Sequence, residues 1–153
     1  MASRRKGRTI ALQVLYQADW TKGMKPEDAT EFTKRTLQDY EKDLAPKGIK
    51  KNPELMNFVE LLVSGVLSKR QEIDSIISRF SRKWKLERMA AVDRNILRLG
   101  IFELCYLHEI PPRVAINEAV ELAKRFGDSN SAGFVNGILD SVFQEVCQKK
   151  KTD

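Results

Sequence analysis

The chain has 153 residues, 42% of them hydrophobic and 31% charged, with a formal net charge of +6. That length suits one ordinary domain with its own core, and the composition excludes a chain disordered throughout. No apolar run reaches the ~18 residues of a membrane-spanning helix, no signal-peptide pattern follows the basic start, and Cys105 and Cys147 read as buried free thiols, so a cytoplasmic protein is expected.

The first element opens on four cations, Arg4, Arg5, Lys6 and Arg8, within "RRKGR". Ile10, Ala11, Val14, Leu15 and Ala18 follow at spacings of three and four, one face of an amphipathic helix. Cations at a helix start oppose the positive end of the dipole by roughly 0.3–1 kcal/mol each at low salt. Two readings therefore stand side by side. Either the helix begins only at Thr9 as N-cap and the cations are a solvated tail, or charge and helix dipole together form an anion site.

Next, "KGMKP" breaks the pattern, and Pro26, Glu27 and Asp28 suit a first helical turn. The periodicity through Phe32, Leu37, Tyr40 and Leu44 is weak, and a loop around Pro46 and Gly48 follows. Asn52 and Pro53 then begin a clean helix with Leu55, Val59, Leu62, Val63 and Val66 on one face. Ile73, Ile76, Ile77 and Phe80 mark a shorter one. The stretch "ERMAAVDRNILRLGIFELCYLHE" has no breaker except Gly100 and is apolar nearly all round, which predicts a central buried helix. "IPP" stops it, "VAINEAVELAKRFG" forms an amphipathic helix closed by Gly127, and "DSNS" offers caps for a last helix over 131–147. No stretch alternates with period two, so the fold class is all-α with about seven helices.

Charge is distributed unevenly. Residues 1–8 contribute +4, and residues 149–153 contribute +2 through Lys149, Lys150 and Lys151 less Asp153. Residues 69–98 hold nine basic and four acidic side chains, whereas residues 99–148 hold three and seven. The C-terminal lysines suit the negative end of a helix and need no ligand. The basic and acidic segments suggest one face for an anion and another for a basic partner.

Catalytic signals are missing. His108 stands alone before "EIPP" as a surface or capping residue, and with two distant cysteines it makes no zinc site. Phosphate-cradling and nucleophile-elbow motifs do not occur. Glu118 and Glu121 read as ordinary helix-surface partners of Lys124 and Arg125. Neither an enzymatic reaction, a metal nor a cofactor is expected.

Three blocks, "DRNILRLGIFEL" at 93–104, "PPRVAINEAVELAKRFG" at 111–127 and "FVNGILD" at 134–140, closely resemble the C-terminal half of the NusB family of bacterial transcription antitermination factors. "RRKGRTIALQVLYQADW" at 4–20 looks like the family's N-terminal helix, and only about 22–52 matches poorly. The resemblance implies one helical domain over 1–153, with an N-terminal sub-bundle over about 1–80 and a C-terminal one over about 84–148 packed roughly at right angles. It implies binding to single-stranded boxA RNA of ribosomal RNA leaders, with the ribosomal protein NusE and the RNA polymerase antitermination complex as partners. Monomers and homodimers are both compatible with it. A related domain is fused to a ribosomal RNA methyltransferase, but no catalytic block follows here.

By position, the resemblance assigns RNA contact to Arg4, Arg5, Lys6 and Arg8. Tyr16 matches a family aromatic near RNA, and Phe134 one associated with a base; read alone, each is equally a core residue. Asn130 stands where the family often has an acidic residue, which lessens repulsion of phosphate, or serves only as a cap. Asp93 matches an acidic position that orients basic side chains or faces the protein partner. Ala115, Ala119 and Gly137 read as close-packing positions, and Asn117 and Asn136 as structural residues. The competing reading is a helical protein-interaction adaptor whose cations are a solvated tail.

Overall fold

Helical periodicity becomes helices at nearly every expected place. The computed structural model describes residues 2–20, 28, 31–36, 38, 39 and 53–147. Among them are six α-helices: α1 (Ala2–Trp20), α2 (Pro53–Ser68), α3 (Arg70–Phe80), α4 (Ala91–Tyr106), α5 (Pro112–Phe126) and α6 (Ser131–Val142). A 3-10 turn, Leu86–Arg88, precedes α4, a π-helical turn, Phe143–Cys147, extends α6, and residues 31–36 are also helical. No strand occurs among the described residues. The expected helix after Pro26 is thus seen only in part. Leu37, Tyr40, Leu44, the loop around Pro46 and Gly48, the side chain of Cys147, and Lys149, Lys150 and Lys151 lie outside the described residues.

The chain divides into two compact units, Met1–Ser68 and Lys69–Asp153. In the first, α1 buries Ile10, Ala11, Val14, Leu15 and Ala18 against α2, which buries Val59, Leu62, Val63 and Val66. Each of the valine, leucine and isoleucine side chains contributes roughly 1.5–3 kcal/mol when fully buried. Pro53 and Glu54 begin α2 in the manner their types favour, since the first turn needs no proline N–H and welcomes an acid.

In the second unit α4 is the central helix, and every residue from Asn95 to Cys105 is buried. It packs on α3, α5 and α6. Gly100 permits the closest approach, because a Cβ there would lie 2.7 Å from Leu139 Cδ1. The bounds implied by the family resemblance, about 1–80, put α3 in the N-terminal sub-bundle. The structure instead joins it to the second unit, through Ile73, Ile77 and a partly buried ion pair. Arg98 Nε donates to Asp74 Oδ1 at 2.8 Å and Nη2 to Asp74 Oδ2 at 3.0 Å, a bidentate pairing across α4 and α3. Arg98 Nη1 also donates to Asn95 Oδ1 at 3.0 Å, and Asn95 returns its own amide to Ala91 O at 2.8 Å. Apolar packing of Ile73 and Ile77 and the Arg98–Asp74 pairing therefore both tie α3 to the second unit.

Near the C-terminal end of α4, Tyr106 stacks on Phe102 and donates its hydroxyl to Glu72 on α3. Burial, then the Glu72 contact, raises the Tyr106 phenol to about 12 from the ordinary 10.0. The neutral phenol is thus favoured in the folded state. Its stabilising contribution is fully present below pH 10.0 and fades as pH rises toward about 12. Absorbance titration should show one tyrosine ionising late, and Tyr106→Phe should abolish that step; a normal phenol titration in the folded protein would refute the Glu72 contact.

His108 is exposed, as expected of a surface residue. Asn117 and Asn136 are exposed too, and Gly137 faces open space, so the reading of Gly137 as a close-packing position is corrected. Polar and small residues repeat on both faces of an amphipathic helix, and periodicity alone does not say which face meets a neighbour.

Candidate nucleic-acid interface

The structure places the N-terminal cations inside the first helix. Thr9 is no N-cap: α1 already runs from Ala2, and Thr9 Oγ1 donates to Arg5 O at 3.2 Å inside the helix. Arg4, Arg5, Lys6 and Arg8 therefore lie within the first turns, and no acid occupies the first turn to offset them. Arg4, Arg5 and Lys6 are exposed. Their charges add to the positive helix end, an arrangement suited to a polyanion.

Arg8 behaves differently, being only 3% exposed. A solvated tail does not describe this position. Phe58 on α2 is the reason. The Cζ atoms of Arg4 and Arg8, one helical turn apart, each lie 5.5 Å from the Phe58 ring centroid. Between them Gly7 brings the α1 backbone against the same ring, where a Cβ would fall 2.7 Å from Phe58 Cδ2. A guanidinium on an aromatic face keeps its charge while its stem packs.

Farther along α1, Tyr16 is 36% exposed and Trp20 71% exposed. Their rings meet edge to face, with centroids 6.0 Å apart. Positions 5, 9, 13, 16 and 20 follow helical spacing, so Arg5, Tyr16 and Trp20 share one face of α1. That face offers a cation at one end and aromatic rings at the other, the two group types that single-stranded nucleic acids use. Trp20 escaped the sequence reading, although its position four residues after Tyr16 was a usable signal.

In the second unit Asp93, Asn130 and Phe134 come together in one recess of about 350 Å³. Trp84, Arg88, Met89, Ala90 and Asp128 complete its lining. Phe134 is half-buried there. The loop between α5 and α6 is held by its own groups: the Asp128 N–H donates to Ser131 Oγ at 3.0 Å, and Asp128 Oδ1 accepts the Asn130 N–H at 2.8 Å. Asn130 holds the N-cap position of α6, but its exposed side chain makes no capping hydrogen bond.

Trp84 is the aromatic the sequence reading passed over in this unit. It is 59% exposed and stands among the exposed cations Arg82, Lys83, Lys85 and Arg88. The available signal was an aromatic inside the basic excess of residues 69–98.

Among the described residues no helix is long and apolar enough to cross a membrane, and no cluster of three metal-ligating side chains occurs.

The NusB family model matches residues 5–144. The chain is 49% identical over 142 residues to the transcription antitermination protein NusB of Myxococcus xanthus, covering 93% of this chain and 95% of that one. It is 44% identical over 150 residues to NusB of Geobacter sp. strain M21, covering 98% and 100%. Among solved structures, T. maritima NusB matches with a TM-score of 0.81 at 33% identity, over 97% of this chain and 96% of that one. A crystal structure of the antitermination factors NusB and NusE in complex with double-stranded RNA matches with a TM-score of 0.75 at 30% identity, over 94% and 98%.

Proposed function

The chain belongs to the NusB family, and on that premise we propose that it is an RNA-binding transcription antitermination factor. It binds boxA-type single-stranded RNA of ribosomal RNA leaders together with the ribosomal protein NusE and thereby joins the RNA polymerase antitermination complex. The action is binding in the cytoplasm, without catalysis. The observation that carries this reading is the trio Arg4, Arg5 and Lys6, exposed near the positive end of a helix whose first turn holds no acid. Phosphates suit such a concentration of positive charge. In this reading Tyr16 and Phe134 receive unstacked bases, Asn130 lines the same recess as Phe134, and Arg8 acts from its packed position on Phe58. The acidic excess of residues 99–148 suits a basic ribosomal protein.

The test is a titration of boxA-type RNA, a scrambled strand and a double-stranded control, each with and without saturating NusE. The boxA strand should bind more tightly than the scrambled one, and NusE should raise its affinity further. Reciprocity then requires RNA to tighten NusE binding by the same factor. Equal affinity for boxA and scrambled strands would remove the sequence-specific function and favour the adaptor reading.

A further inference from the structure

We infer that Phe58 is a positioning residue for RNA binding: its ring holds the Arg4 guanidinium in place for a phosphate. The inference rests on the RNA-binding function proposed above and gives roles to Phe58 and Gly7, neither of which needs to touch RNA.

An arginine side chain loses rotamer freedom when it grips a phosphate, and that loss weakens binding unless it is already made in the free protein. Arg4 is exposed, and its Cζ lies 5.5 Å from the Phe58 ring centroid. Among the described residues no hydrogen bond or ion pair engages its guanidinium, so the ring is what restrains it. A ring attracts a cation through its face without consuming an N–H donor. The donors of the planar fork stay available for phosphate oxygens. A carboxylate partner would restrain Arg4 as well, but it would occupy those donors and offset the charge.

The ring is itself fixed. Phe58 is half-buried on α2, beside Val59 and one turn before Leu62, both wholly buried. From the α1 side Gly7 lets the backbone reach the ring, since a Cβ there would fall 2.7 Å from Phe58 Cδ2 and 3.4 Å from Cε2. Arg8 lies at the same 5.5 Å from the centroid and is only 3% exposed. One ring thus serves two cations differently: Arg8 is packed, and Arg4 is presented to solvent.

The experiment measures RNA affinity by anisotropy over a salt series, with boxA-type and scrambled strands, because phosphates are common to both. Phe58→Leu keeps an apolar side chain and removes the aromatic face. It should bind about fivefold more weakly, the cost of ordering one freed side chain on binding. Its salt slope should be unchanged, because every cation is kept, whereas Arg4→Gln should flatten the slope by about 0.7. In the Arg4→Gln background Phe58→Leu should cost nothing further, a coupling that a merely loosened fold would not produce. Phe58→Tyr restores the face and should recover wild-type affinity. Gly7→Ala pushes against the ring and should repeat the fivefold loss. It keeps every core side chain, so it carries the test if Phe58→Leu melts below the assay temperature. Affinity unaltered by Phe58→Leu and by Gly7→Ala, or a loss of the same size with and without Arg4, would overturn the positioning role and leave RNA binding intact. Equal affinity for the two strands would remove boxA specificity, and the coupling between Phe58 and Arg4 would still decide the role of Phe58. A wild-type protein that binds neither strand would overturn the functional reading and the positioning role together.

Discussion

Replacing Arg98 by alanine should lower the unfolding free energy by about 3–5 kcal/mol, because it leaves the Asp74 carboxylate without its bidentate partner. Arg98 is almost wholly buried, and its two contacts to Asp74 at 2.8 and 3.0 Å tie α3 to α4. Arg70, 3.8 Å from the same carboxylate, is too distant to replace that geometry. Domains of this size are stable by only about 5–15 kcal/mol, so the variant should lose a large share of its total. Urea denaturation measures the change. A paired replacement, Arg98→Met with Asp74→Leu, should recover most of the loss, since apolar groups of similar volume avoid the desolvation of two charges. A loss under 1 kcal/mol for Arg98→Ala would mean that the pair does not hold α3 in place.

The second large effect concerns binding. Changing Arg4, Arg5 and Lys6 to glutamine should reduce affinity for boxA-type RNA by about a hundredfold near 0.1 M salt. The dependence of log K on log salt should flatten by about two, from about 0.7 for each of three phosphate contacts. The fold should survive, because all three side chains are exposed. Arg8 is left out deliberately: unlike Arg4, which also meets Phe58 but is exposed, it is buried, and its replacement would mix lost packing with lost charge. Glutamines at Lys149, Lys150 and Lys151 provide the comparison and should change the slope little. Equal effects of the two sets would make the N-terminal cations an ordinary solvated cluster and send the search for phosphate contacts to the basic segment around Trp84.

By itself, the sequence determined the helices and their buried faces. Spacings of three and four along Ile10–Ala18, Val59–Val66 and Ala115–Ala123 reappear as the buried faces of α1, α2 and α5. This information is local: one helical turn settles which side chains share a face. The family blocks were legible for the same reason, as contiguous strings. Everything that needed two distant strings to meet was decided by tertiary structure. Arg98 finds Asp74 on another helix, one of the contacts that join α3 to the second unit. Phe58 lies under Arg4 and Arg8, which makes Arg8 a packed cation and not a tail residue. Asp93, Asn130 and Phe134 were each named from the sequence with an alternative role, and only the fold of α4 against the α5–α6 loop gathers them with Trp84 around one recess. Periodicity specifies the direction in which a side chain leaves its own helix. The partner it meets there depends on how helices pack, a property of the whole unit that no short window of sequence contains.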